Sequence, residues 1–386
     1  MPSSTSSSDA AVIAIPLVVT RANVPRLTAA DRPGVAQPVP ERDIPVQPWR
    51  TIFIGALSLF IMLMAAWELY WRSQGAVAGY YNSNAEWAQQ RRRIDAGEGG
   101  KTILVGSSRI LFDVQLPVWE KATGERPIQL AIEGTSAVPV LEDLAADPNV
   151  TGRIVVGVAS DLFFTGFAFR GDVVPYFHKE SPSQRVGNWL SREFIEPYFA
   201  FDDFDFALGA VLKRQPWPAR TDVPNRFDVR KLLVQDADRN STLWSKLETD
   251  IEYRDLARSI WAQHFDGPPP PSMDTPEKLQ KIIDTQIQRA VDAVAKLRAR
   301  GVPVLFVRPP TAGRYLEFDN KVFAREHTWD LLLARTGAPG IHFADYPELQ
   351  GYELPEWSHM KKAEAERFTQ ALVAIIGRDF WKPASD

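Results

Sequence analysis

Two short stretches, far apart in the chain, carry the side chains that could do nucleophilic chemistry. Residues 102–110 read TILVGSSRI. This is an apolar, β-favouring run with the look of a short buried strand, broken by Gly106 and followed by Ser107, Ser108 and Arg109. The next segment, SRILFDVQLPVWEKATG, can open as a helix, which puts one of the serines at a helix N-terminus. Unpaired backbone N–H groups and the helix dipole stabilise developing negative charge there, so the place suits a nucleophile. It also suits a plain N-cap, for which serine is a favoured residue. The second stretch, residues 354–377, sets Glu356, Ser358 and His359 at the entrance of an amphipathic helix marked by Phe368, Leu372, Ile375 and Ile376. A carboxylate and an imidazole three residues apart in such a turn can meet. The carboxylate would keep one imidazole nitrogen protonated while the other faces a serine as general base. Against this stands a solvent-exposed helix start in which Ser358 caps and His359 has no task.

Composition removes several other chemistries. The 386 residues include no cysteine, which excludes disulfides, thiolate nucleophiles and cysteine metal sites. The five histidines, His178, His264, His327, His342 and His359, show no HExxH or paired spacing, so neither a metal nor a cofactor is expected. A formal charge of −4 with both signs mixed offers none of the basic field that nucleic acid requires. With 45% hydrophobic residues, the chain can build one large or two medium domains with a real core.

The elements that must position these residues begin with an anchor. Residues 51–70, TIFIGALSLFIMLMAAWELY, are almost unbroken in apolar character and, at ~1.5 Å per residue, reach across ~30 Å of hydrocarbon. Residues 50–72 are therefore expected to form a single transmembrane helix. Trp49 at one end and Trp67, Tyr70 and Trp71 at the other stand as interfacial aromatics, with Arg50 and Arg72 as flanking anchors. Arg32, Arg42 and Arg50 precede the span, which favours an N-terminus inside and the main domain outside the cytoplasm. Residues 1–49, rich in Ser, Ala, Pro and Val, read as a disordered tail. The apolar run over 11–19 is too short to span a bilayer, and no signal peptide is read. Residues 73–100 read as a connector with a polar helical piece.

From residue 101, short apolar runs alternate with helical segments. Strand candidates lie at 102–106, 127–132, 153–159 and 302–307, with a last short one within 341–347. This alternation predicts a doubly wound α/β domain with a parallel sheet, over 101–161 and 276–386. A helix over 276–300 has Thr275 as cap, Pro276 in its first turn and Gly301 beyond its end. It feeds the strand that ends in Arg308, a cation at the carboxyl edge where open α/β sheets hold ligands. Residues 162–275 interrupt the rhythm as a mainly helical insertion, whose first part is crowded with aromatic residues from Phe163 to Phe206. A subdomain that buries these rings is the commoner outcome, and a platform for sugar rings or the membrane surface is the other.

Taken together and in this order, the two stretches resemble the SGNH/GDSL hydrolase superfamily, an α/β/α fold with a Gly-Asp-Ser block after the first strand and an Asp-x-x-His block before the last helix. The resemblance implies Ser108 as nucleophile, with Ser107 where the family has aspartate. It implies His359 as base and Glu356, in place of aspartate, as the group that orients it. It also implies the backbone N–H groups of Ser108 and of Gly134, in AIEGTSA, as oxyanion donors. Ser160 stands where the family carries asparagine, and loss of one such donor typically raises a barrier by ~3 kcal/mol. Arg109, Asp161 and Arg308 are placed as substrate-binding residues, although Arg109 and Asp113 could equally form a helical ion pair.

A single transmembrane helix ahead of such a domain resembles the membrane-anchored proteins that work beside polytopic acyltransferases in alginate, cellulose and teichoic-acid modification. The implied function is a serine acyltransferase or esterase acting on O-acyl, most simply O-acetyl, groups of a cell-envelope or secreted polysaccharide. It would sit in the inner membrane with its main domain in the periplasm, partnered by a polytopic membrane acyltransferase or a polysaccharide secretion component. The competing class is a scaffold or glycan-binding component that keeps the fold and has lost efficient chemistry. A hydrogen bond between Ser108 Oγ and His359 Nε2 beside a cleft favours catalysis, whereas aromatic rings of the insertion filling that space favour the scaffold.

Overall fold

The computed structural model describes residues 46–215 and 230–381, so the expected tail over 1–45 lies outside the described residues. The chain divides into one unit ending at Phe60 and another beginning at Ile61. The helix Trp49–Ser73 runs 25 residues, none of them buried, and is long and apolar enough to cross a membrane. Neither a proline nor a charge interrupts it between Thr51 and Trp67, so it presents apolar side chains on every face.

The unit from Ile61 holds seven strands among the described residues: β1 (Ile103–Val105), β2 (Ile128–Gln129), β3 (Ile154–Gly157), β4 (Leu233–Gln235), β5 (Ser241–Leu243), β6 (Val304–Arg308) and β7 (Gly340–His342). Five of them form a parallel sheet in the order β2-β1-β3-β6-β7, with Val105 opposite Val156 and Val156 opposite Phe306. Alternation along the strands sends Ile103, Val105, Ile154, Val156 and Phe306 to one apolar cluster and Leu104, Val155, Leu305 and Val307 to the other. Both faces of the sheet are buried, as continuous apolar runs require. Helices Val138–Ala146 and Pro276–Ala299 supply the first cluster, and Ser108–Asp113 and Lys362–Ile375 the second. From β1 the chain goes to β2 on one side, then back past β1 to β3 and outward to β6 and β7. The carboxyl ends of β1 and β3 therefore flank the reversal point of the sheet, where ligands of open α/β folds are held.

The insertion contains the expected helices, among them Pro182–Phe194 and Ile251–Asp266, and also the antiparallel ladder of β4 and β5, which the sequence reading does not anticipate. Each ladder strand is three residues long, too short to display a period-2 pattern. The ladder region is tied to the sheet. The buried guanidinium of Arg239 donates to the carbonyls of Gln129 and Ala131 at 3.0 and 2.9 Å, and Asn240 Oδ1 accepts from the Leu116 N–H at 2.8 Å. The aromatic residues divide. Phe163, Phe164 and Phe206 are buried, whereas Phe167, Phe169, Trp189, Phe194, Tyr198, Phe199 and Phe204 are exposed. The expectation of a subdomain that buries its rings fails for this second set.

Candidate active site

Small residues bring the first loaded stretch down onto the sheet edge. A Cβ at Gly106 would lie 2.6 Å from Ile110 Cγ1, and one at Gly157 only 2.0 Å from the same atom. Absence of both side chains lets Ile110 pack over the ends of β1 and β3 and seats the short helix Ser108–Asp113 there. Ser107 takes the N-cap position, but its hydroxyl makes no capping bond. Ser108 begins the helix and is its single partly exposed residue, the following five being buried.

The second stretch is shaped by a strained turn. Trp357 has φ +73°, the left-handed region that a bulky side chain seldom occupies, and its carbonyl accepts from the Ala312 N–H at 2.9 Å. The turn folds Glu356 back onto His359. Glu356 Oε1 accepts from the His359 backbone N–H at 2.7 Å and from Nδ1 at 2.8 Å, and Oε2 accepts from Trp261 Nε1–H at 2.5 Å. A carboxylate offers only acceptors, so Nδ1 carries the imidazole proton. His359 Nε2, 2.7 Å from Ser108 Oγ, is left to accept from that hydroxyl. Glu356 and His359 are 0% and 1% exposed, and the imidazole packs on Phe112 with ring centroids 4.4 Å apart. The alternative of an idle helix start does not describe this loop. The helix begins at Lys362, and Ser358 is buried and accepts from Arg109 Nε at 3.3 Å.

The strands on either side of β1 lead to the remaining polar groups. Gly134, beyond β2, has φ +57°, and its carbonyl accepts from the N–H of the exposed Phe169 at 3.0 Å. The N–H groups of Ser108 and Gly134 have no acceptor among the described residues. Ser160 opens the helix Ser160–Phe163 after β3 and is buried.

Arg109 and the partly exposed Asp161 belong to a polar cluster with the buried Tyr315 and Asp319. The Arg109 guanidinium lies 4.5 Å from the centre of the Tyr315 ring and 3.8 Å from carboxylate oxygens of both Asp161 and Asp319. Tyr315 donates to Asp161 Oδ2 at 2.5 Å, and burial, then the Asp161 charge, hold its phenol well above the usual value. The helical ion pair between Arg109 and Asp113 does not form. Arg308 departs from the expected role of a ligand-facing cation: it is buried, bound to the Asp319 carboxylate, and donates to the Pro309 carbonyl at 2.8 Å. Burial lowers the pKa of Arg308 and raises that of Asp319. The structure thus joins Ser108, His359 and Glu356, and leaves Arg308 buried on Asp319.

Two participants escape the sequence reading. Trp261 comes from the insertion, 95 residues before its partner Glu356, and no local pattern connects them. Asp113 is visible as an acid on the Ser108 helix, but its partner is the backbone: Oδ1 accepts from the Met360 N–H at 2.9 Å, and Oδ2 is buried with no hydrogen-bond partner among the described residues. Burial pushes this carboxyl up to about 7. The unfolded chain releases the proton above about 3.9, whereas the folded chain holds it to about 7. Stability contributed by this group therefore falls as pH rises across that window and is level above it. Asp113→Asn keeps an acceptor for Met360 and cannot ionise. Urea unfolding should show the variant gaining on the order of 1–4 kcal/mol over the parent between about pH 4 and about pH 8. Parallel pH profiles for the two proteins would show that Asp113 is ionised when folded.

The chain matches no protein-family model and no curated protein sequence.

Proposed function

We propose that this chain is a membrane-anchored serine acyltransferase or esterase with an SGNH-like three-layer α/β/α domain. The carrying observation is the relay from Ser108 Oγ to His359 Nε2 at 2.7 Å and from His359 Nδ1 to Glu356 Oε1 at 2.8 Å. Ser108 Oγ attacks the carbonyl carbon of an acyl ester and gives its proton to Nε2, while the carbonyl oxygen becomes an oxyanion facing the N–H groups of Ser108 and Gly134. Collapse breaks the bond to the alcohol oxygen, which leaves with the proton from Nε2. In the second half a sugar hydroxyl or water gives its proton to Nε2 and attacks the acyl carbon, and Ser108 Oγ departs and recovers that proton. Glu356 holds the imidazole in the required tautomer throughout. Ser160 supplies a hydroxyl where the resembled family has an amide.

A polysaccharide O-acyl group, most simply O-acetyl, is the substrate class that the surroundings support. Phe169 presents an exposed ring beside Gly134, and exposed aromatic faces suit sugar rings. The apolar helix and the arginines ahead of it support an inner-membrane anchor with the main domain in the periplasm, beside a polytopic acyltransferase or a secretion component. Two measurements test this reading. The full chain, reconstituted in liposomes and treated with an activated acetyl ester, should carry an acetyl adduct on the Ser108 peptide by mass spectrometry. Cells lacking the chain should show altered O-acylation of an envelope or secreted polysaccharide. A correctly folded chain that forms no adduct in liposomes, together with unchanged glycans in cells lacking it, would leave the scaffold function in its place.

A further inference from the structure

We propose that the exposed apolar surface of the insertion, built from the helix Pro182–Phe194 and residues 198–204, docks on the lipid bilayer beside the transmembrane helix, as a second, interfacial membrane contact. The helix is amphipathic in the reverse sense for a soluble protein. Polar side chains hold it to the domain: Asn188 Nδ2 donates to Glu86 Oε1 at 3.1 Å, and Arg192 binds the same buried carboxylate and donates to the Ala237 carbonyl at 3.0 Å. Asn188, Ser191 and Arg192 are its only partly covered residues. Its apolar stripe, Val186, Trp189, Leu190 and Phe194, points outward, with Trp189 53% and Phe194 59% exposed. A helix that holds Asn188, Ser191 and Arg192 against the domain and turns four large apolar side chains outward, with Glu193 the one acid among them, has an apolar phase to meet.

The occupant is identified by where the surface is held. Residues just after the helix are fastened to the last turns of Trp49–Ser73. Glu68 accepts from the N–H groups of Ala200 and Phe201 at 3.0 and 2.9 Å, Arg72 donates to the Tyr198 carbonyl at 3.0 Å, and Trp71 stacks on Phe206 at 4.6 Å. Glu68, Trp71 and Arg72 mark the level at which that helix leaves hydrocarbon, where tryptophan and tyrosine are favoured. The exposed rings of Tyr198, Phe199 and Phe204, which follow the helix in the chain, are therefore delivered to the headgroup level by the chain's own anchor. An apolar helix face at that level enters the boundary of headgroups and acyl chains by about 5–10 Å. Such docking would fix the height and tilt of the Ser108 site above the membrane.

The cysteine-free chain permits a direct test. Single spin labels are placed through Phe194→Cys and Phe204→Cys, with Ile61→Cys as the membrane control and Lys281→Cys as the solvent control. Each full-length variant is reconstituted in phosphatidylethanolamine–phosphatidylglycerol vesicles so dilute that each vesicle carries a single chain, which removes partner proteins and second copies. Thermal unfolding confirms that each variant folds. Labels at 194 and 204 should collide more with oxygen than with a water-soluble nickel chelate, as at 61, while the label at 281 shows the reverse. Dominant collision with the nickel chelate at 194 and 204 would overturn the proposal and assign the surface to a protein partner or to water. That outcome leaves the Ser108 adduct, which is read separately, untouched.

Discussion

Replacing Ser108 by alanine should abolish the acyl adduct and lower turnover of an activated ester by about 10⁴-fold or more, with little change in stability. The small stability effect follows from the contacts: Ser108 is partly exposed, and its hydroxyl makes a single hydrogen bond, to His359 Nε2. The large kinetic effect follows because, among the described residues, no other hydroxyl is placed on that imidazole. His359→Ala should cost about as much, and the double variant little more, since the two act as one unit and the residual rate comes from the oxyanion donors and binding. Ser107→Ala is the control. Its hydroxyl caps nothing, and loss of it should leave the adduct and most of the rate intact. Mass spectrometry of the modified peptide decides: an adduct that survives in Ser108→Ala, on Ser107 or elsewhere, removes Ser108 from the role.

What could be read from the sequence, and what could not, divides by the range of the interaction. The long apolar helix Trp49–Ser73, the parallel strands and the helix Pro276–Ala299 are written in local composition, periodicity and capping: the Thr275 hydroxyl accepts from the Lys278 N–H at 3.3 Å, and Ile283, Ile287, Val294 and Leu297 fill one buried stripe. The positions of Ser108, Glu356 and His359 at element boundaries were legible for the same reason. Arg308 shows the limit. Placing it at a strand's carboxyl edge was sound, but its direction is set by Asp319, which sits 11 residues later on the helix Gly313–Val322 and takes the cation inward. The exposed rings of the insertion mark a different limit. Aromatic composition alone does not separate a core from a surface that meets lipid, because both remove the same rings from water. The relation of the helix Pro182–Phe194 to Glu86, 102 residues away from Asn188, decides which face points outward.

Glu356→Gln should lower turnover by about 10³–10⁴-fold, and adding Trp261→Phe should restore about tenfold or more of that loss. Three donors converge on the carboxylate: the His359 backbone N–H and Nδ1–H on Oε1, and the indole N–H of Trp261 on Oε2. An amide has one acceptor oxygen and one donor nitrogen, so it cannot satisfy both sides. If the glutamine oxygen faces His359, its NH₂ meets the indole N–H, leaving two buried donors in opposition. If it turns to accept from Trp261, the NH₂ faces His359, opposes the backbone N–H and forces Nδ1 to accept. The imidazole proton then moves to Nε2, where it blocks acceptance of the Ser108 proton. Removing the indole N–H by Trp261→Phe lets the oxygen settle toward His359 and recover the working tautomer. Alone, Trp261→Phe takes one donor from a carboxylate that keeps two others, and should cost far less than Glu356→Gln. The signature is therefore a double variant more active than the worse of its parents, measured as initial rate on an activated ester. Additive losses would mean that Trp261 supports Glu356 only by packing, and that the insertion has no part in holding the tautomer.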